Sequence, residues 1–141
     1  MENELYWKKV YTVAYRLTGN ESNASELASL AIIHAGISGN RITTDMFKAT
    51  VVELINIFLK APEICYNIDE CADAQNALLS LSPVCRAAVI WKDILGFQIL
   101  DNIPAANYSR QELLRELVCG RRELKEYLAD KIPRGIICSF I

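Results

Sequence analysis

The side chains best suited to chemistry gather in the last third of the chain. Ser109, Arg110 and Gln111 stand together, Arg115 follows, and Arg121 and Arg122 form a pair. A guanidinium can pair two-pronged with a guanine edge, a glutamine amide with adenine, and further cations can neutralise phosphates. Glu112 and Glu116 interrupt the set. The plainer alternative is a solvated helix face with ordinary ion pairs, such as Glu112 with Arg115. From Ser109 to Arg134 the cations are Arg110, Arg115, Arg121, Arg122, Lys125, Lys131 and Arg134, against Glu112, Glu116, Glu123, Glu126 and Asp130. That is a local excess of two charges (seven less five) in a chain of net charge −2 and pI about 5.4. Binding of DNA through bulk charge is thereby excluded, and only a local patch could do it.

Other chemistries lack their groups. His34 is the only histidine, and on an apolar stretch it is expected to be packed rather than to act as a ligand or base. Cys65 and Cys71 are not spaced as a zinc hook, the six glycines form no phosphate loop, and no carboxylates pair for acid–base work. The expectation is no metal, no cofactor and no enzyme activity. The five scattered cysteines (Cys65, Cys71, Cys85, Cys119 and Cys138) read as reduced cytoplasmic thiols. No leader segment or membrane-length apolar run is visible. The final CSFI loosely fits a prenylation pattern, but GIICSFI is expected to pack on the fold or on a partner.

The elements that must position these groups are all helical. Tyr6, Val10, Val13, Ala14 and Leu17 repeat at helical spacing over about Asn3 to Thr18, and Gly19 suits a left-handed stop. Ser22 or Asn23 is expected to cap a second helix to Ala35, apolar nearly all round and therefore buried or covered by a partner. Thr44 or Asp45 should cap a third helix to Lys60; its β-branched content makes a strand the alternative, but Phe47, Val51, Leu54, Ile55 and Phe58 repeat at three and four. Residues 62–75 read as a polar, acidic linker. A helix near Asp69 to Ser80 follows, then Ser82–Pro83 starts another that Gly96 ends. A short helix near Gln98 must stop or kink by Pro104. Ser109 and Glu112 form a capping box for the last helix, striped by Leu113, Leu117, Gly120, Leu124 and Leu128. The expected fold is all-α, in two small helical domains over 1–61 and 76–141.

At this point a family resemblance enters. Leu5–Tyr6, Val10–Tyr11, Ala14–Tyr15–Arg16–Leu17 and Gly19–Asn20 resemble the opening of region 2 of bacterial extracytoplasmic-function (ECF) sigma factors. Ala77, Leu78, Leu81, Pro83, Arg86, Val89 and Gly96, then Ser109, Leu113, Leu117, Arg121 and Leu124, resemble region 4 in register. The resemblance implies a three-helix bundle that docks on RNA polymerase core, then a helix-turn-helix that reads promoter DNA. It implies polymerase contacts at Glu26, Leu27 and Ile33 and DNA contacts at Ser109, Arg110, Gln111, Arg115, Arg121 and Arg122. An anti-sigma factor is a further partner, with no membrane insertion. The second helix keeps one acid, Glu26, and has Ser29 where the family carries glutamine; the third offers Phe47, Phe58, Lys48 and Lys60 for melted DNA. The alternative reading keeps the fold and drops the promoter, leaving a protein-interaction module such as a co-sigma or a decoy. A weaker third is a helix-turn-helix repressor unrelated to polymerase.

Overall fold

A computed structural model of the 141-residue chain describes residues 3–36, 41–60, 73–98 and 109–131. These form six α-helices and no strand: α1 (Asn3–Thr18), α2 (Glu21–Ala35), α3 (Thr44–Lys60), α4 (Asp73–Leu79), α5 (Pro83–Val89) and α6 (Arg110–Lys131). A π-helical turn, Ile90–Ile94, extends α5. The segment 62–72 of the expected linker, the expected helix near Gln98 with its Pro104 stop, Cys65, Cys71, Cys138 and the CSFI end lie outside the described residues.

The first three helices form one bundle. Gly19 turns left-handed (φ 68°) and ends α1, and its N–H bonds the Tyr15 carbonyl at 2.7 Å. The next residue is already the cap of α2: Asn20 is extended and its side chain accepts from the Asn23 N–H at 3.0 Å. The cap thus sits before Ser22 and Asn23, because the glycine reverses the chain in a single step. Likewise α3 is capped by Thr43, whose hydroxyl accepts from the Met46 N–H at 3.2 Å, rather than by Thr44 or Asp45. The inner face of α2 is Ala24, Leu27, Ala28 and Ala31, small enough to bring the helix close to α1 and α3. Tyr6 and Thr50 join α1 to α3 by a buried hydroxyl–hydroxyl bond. His34 is exposed in the last turn of α2, not packed, one turn beyond Ala31, the last buried residue of that helix.

The two halves meet through buried polar groups. Gln75 on α4 is 1% exposed. Its amide donates to the Tyr15 and Arg16 carbonyls at 3.1 and 3.0 Å and accepts from the Arg16 guanidinium at 3.1 Å. Arg86 on α5 is 2% exposed. It donates to the carbonyls of Leu17, Leu78, Leu79 and Leu81 at 2.5, 3.0, 3.2 and 3.0 Å, and its guanidinium lies 5.6 Å over the Phe58 ring. Carbonyls at a helix C-terminus lack intrahelical donors and carry partial negative charge, so one buried cation satisfies the ends of both α1 and α4. The side chain of Leu79 closes over Gly19, where a Cβ would run into it. Apolar packing completes the junction: the Trp91 and Phe97 rings lie 4.7 Å apart, Phe97 reaches Phe47 at 6.5 Å, and Lys48 sits over both second-half rings. One continuous core therefore runs through both helical groups.

In the second half, Ser82 caps α5 from an extended conformation and Pro83 opens it, as the sequence pattern requires. The helix widens at its end, where the Leu95 N–H reaches back five residues to Ile90. Gly96, at φ 75°, then stops it.

Candidate nucleic-acid interface

The last helix starts at an exposed end. The Ser109 hydroxyl accepts from the Glu112 N–H at 3.2 Å and lies 3.2 Å from the Glu112 carboxylate. The expected box is thus half made: serine satisfies the amide, while the glutamate meets the hydroxyl instead of the Ser109 N–H. Leu113, Leu117 and Leu124 are buried and anchor the helix. Gly120 lets α5 come close, since a Cβ would stand 3.0 Å from Val89 Cγ2 and 3.3 Å from the Cys85 carbonyl.

Phase separates the charges of α6. At about 100° per residue, Arg110, Gln111, Leu114, Arg115, Val118, Arg121, Arg122 and Lys125 fall on one side of the leucine stripe. Glu112, Glu116, Glu123 and Glu126, with Cys119 among them, fall on the other. Each of those cations is exposed, so the local excess of two hides a face whose charges are all cationic, backed by an acidic one. Ser109, Arg110, Gln111 and Arg115 all lie exposed near the N-terminal end. Among the described residues Arg110, Gln111 and Arg115 make no ion pair or side-chain hydrogen bond, and the expected Glu112–Arg115 pair does not form.

The other two expected DNA contacts, Arg121 and Arg122, lie further along the helix. Arg121 is held by Asp93, with Nε–Oδ2 2.7 Å and Nη2–Oδ1 2.5 Å. That bond pushes the guanidinium above its ordinary pKa, against a small opposing effect of burial. Arg122 stays on the exposed face, with one nitrogen 3.7 Å from Cys119 Sγ. Sequence reasoning missed Lys125, Leu114 and Val118, which share the cationic face; helical phase alone would have found them. On the acidic side, Cys85 Sγ donates to Glu116 Oε2 at 2.9 Å. Burial first, then the Glu116 carboxylate, raise this thiol to about 11.

The polymerase set divides. Glu26 and Ile33 are exposed on the outer face of α2, Ile33 at 72%. Leu27 is 3% exposed and belongs to the core. Its place on the outer face is taken by Leu30, at 39%. The repeat Ala24–Leu27–Ala28–Ala31 assigns Leu27 inward, and Glu26–Leu30–Ile33 is the complementary outer repeat. Most of the aromatic and basic groups of α3 are engaged internally: Phe58 lies under Arg86, Phe47 against Phe97, and Lys48 over the Trp91 and Phe97 rings, while Lys60 is exposed.

Among the described residues, no group of three or more His, Cys, Asp or Glu side chains could hold a metal ion. None of their helices is long and apolar enough to cross a membrane.

Comparison with known proteins agrees with this architecture. No family model matches the chain. Over 148 aligned positions it is 30% identical to the ECF RNA polymerase sigma factor SigE of Mycolicibacterium smegmatis, an alignment that takes in 86% of this chain. The chain spans 58% of that relative's length. In fold it is similar to the sigma factor RpoE of Bartonella quintana, solved in complex with the anti-sigma factor NepR. That match has a TM-score of 0.63 at 16% identity and covers 91% of this chain and 94% of the other. Over most of its length the chain is thus similar in sequence to an ECF sigma factor, and its helical fold is similar to that of a solved sigma factor.

Proposed function

We propose that the chain is a sigma-like transcription protein that docks on RNA polymerase core through the outer face of α2 and reads duplex promoter DNA through α6. The observation that carries this reading is the charge-segregated α6. Its cationic face carries no acid of its own helix, its N-terminal residues Ser109, Arg110, Gln111 and Arg115 are exposed, and its leucine stripe is buried. A helix entering a major groove needs donors at its leading end and phosphate contacts along its flank. Arg110, Gln111 and Arg115 supply the first, and Arg122 and Lys125 the second. Glu26, Leu30 and Ile33 form the surface offered to polymerase. RNA synthesis then belongs to the polymerase, and this chain works in the cytoplasm as a non-enzymatic specificity subunit with no cofactor. A partner of the anti-sigma type is part of the same proposal, on the strength of the complexed relative.

A second reading, a sigma-like protein-interaction module, is favoured by one observation. Leu114 and Val118, at 37% and 59% exposure, put apolar groups in the middle of the cationic face. The experiment that separates the two is selection of the full chain against a randomised duplex pool across a salt series, beside retention on polymerase core. Recovery of a preferred sequence whose affinity falls steeply with salt supports promoter reading. Retention on core without any selected duplex supports the interaction module.

A further inference from the structure

The contact between α5 and α6 has three members on one ridge of α5 and its π-turn. Cys85, Val89 and Asp93 follow one another at four-residue spacing, and each meets α6. Cys85 reaches Glu116 on one flank, Val89 sits against Gly120 in the middle, and Asp93 takes Arg121 on the other flank. Gly120 lets the two helices come close in the middle of the contact, and the flanking bonds hold α6 on either side of it, beside the buried Leu113, Leu117 and Leu124. Of the two, the Asp93–Arg121 pair is the stronger: it is two-pronged, charge-assisted and planar, whereas the thiol is a weak donor.

We infer that Asp93 is a positioning residue for α6, and that Arg121 spends its guanidinium on Asp93 and not on a duplex. Asp93 lies in the π-turn, and its carboxylate is only 19% exposed, while Arg121 is 47% exposed. The acid is therefore fixed by its surroundings and the arginine is drawn to it. This runs against the simple expectation for an exposed arginine on a cationic face. Neutralising the acid should release a cation towards phosphate while loosening the helix that discriminates sequence. Non-specific binding should strengthen as specific reading weakens, two effects of opposite sign from one substitution. The inference rests on the duplex-reading role proposed above for its DNA consequences, but not for the helix geometry itself.

The test uses the full chain carrying Asp93→Asn, and a second variant that exchanges the charges, Asp93→Arg with Arg121→Asp. Amide hydrogen exchange is followed without DNA. Binding is then measured to a duplex selected by the unsubstituted protein and to its scrambled version, over 50–300 mM KCl (roughly the range over which phosphate contacts are lost). In Asp93→Asn, amides of residues 114–121 should exchange faster while α1–α3 keep their protection. Preference for the selected duplex should fall about tenfold, and the salt slope on the scrambled duplex should steepen by about one. The charge exchange should restore both protection and preference. Unchanged exchange in Asp93→Asn, equal loosening of every helix, or no recovery on charge exchange would each overturn the inference. If the unsubstituted protein selects no duplex, the exchange measurement still decides the clamp, and the failure falls on duplex reading alone.

Discussion

The outer faces of α2 and α6 are built on opposite principles. The face of α2 carries one charge and otherwise small polar and apolar groups: Glu26 with Ser22, Ser29, Leu30 and Ile33, on a helix whose inner side is mostly alanine. The face of α6 carries Arg110, Arg115, Arg121, Arg122 and Lys125 around Leu114 and Val118, and is carried on leucines, with Gly120 against α5. A surface of the first kind gains by shedding water and is little affected by salt. A surface of the second kind gains by releasing counterions and is strongly affected. The difference teaches that the two proposed partners, one protein and one nucleic acid, can be separated by ionic strength before any residue is changed.

The largest effect should come from the α2 face. Ile33→Asp with Leu30→Asp should abolish retention on polymerase core; buried apolar anchors carry about 2 kcal/mol or more each, on the order of 30-fold per side chain. Duplex binding by the same protein should be unchanged. If both were lost together, the two faces would not be independent and the comparison would break. Next comes Arg110→Ala with Arg115→Ala, which should cost about 1–3 kcal/mol per lost base contact and flatten sequence preference, while core retention survives. A competition titration against selected and scrambled duplexes reads this directly.

Smaller effects sharpen the contrast in how the helices are held. Gly120→Ala should destabilise by about 1 kcal/mol, because Val89 must yield by a few tenths of an ångström. Thermal melting measures it. The thiol beneath α6 gives a pH signature. Cys85 is raised from 9.0 to about 11 on folding. The folded state therefore holds this proton more tightly than the unfolded chain. The contribution is fully present below pH 9.0 and is lost as pH rises towards about 11. The melting temperature of the unsubstituted protein should fall over that window, and a Cys85→Ser variant should fall less. Smallest of all, Lys125→Ala should lower the salt slope by about one without altering preference.

Much of the fold was legible because its punctuation is local. Gly19, Ser82–Pro83, Gly96 and Ser109 each act within a few residues, and the helices they bound lie where the sequence put them. The caps of α2 and α3 slipped by a residue or more because several candidates stand side by side, and only the backbone conformation chooses among them. Leu27 differs for another reason: the resemblance assigns it to the polymerase surface, whereas its phase with Ala24, Ala28 and Ala31 turns it inward. The same omission hid the cationic face. Adding charges along Ser109 to Arg134 discards the angular information that separates Arg115 from Glu116. What no reading of the chain could supply is pairing across long separations. Nothing near Gln75 announces that its amide serves Tyr15 and Arg16, and nothing near Asp93 announces Arg121.

The buried guanidinium of Arg86 has a consequence for how the molecule comes apart. It ties the Leu17 carbonyl of the first half to the carbonyls of Leu78, Leu79 and Leu81 in its own half. Parting the halves therefore strips Leu17 of this donor and, with the Gln75 bonds to Tyr15 and Arg16, takes a donor from three carbonyls in one stroke. Nothing is recovered by going halfway. Any partner that must prise the halves open therefore meets a latch that is shut or released, and not a hinge that yields by degrees.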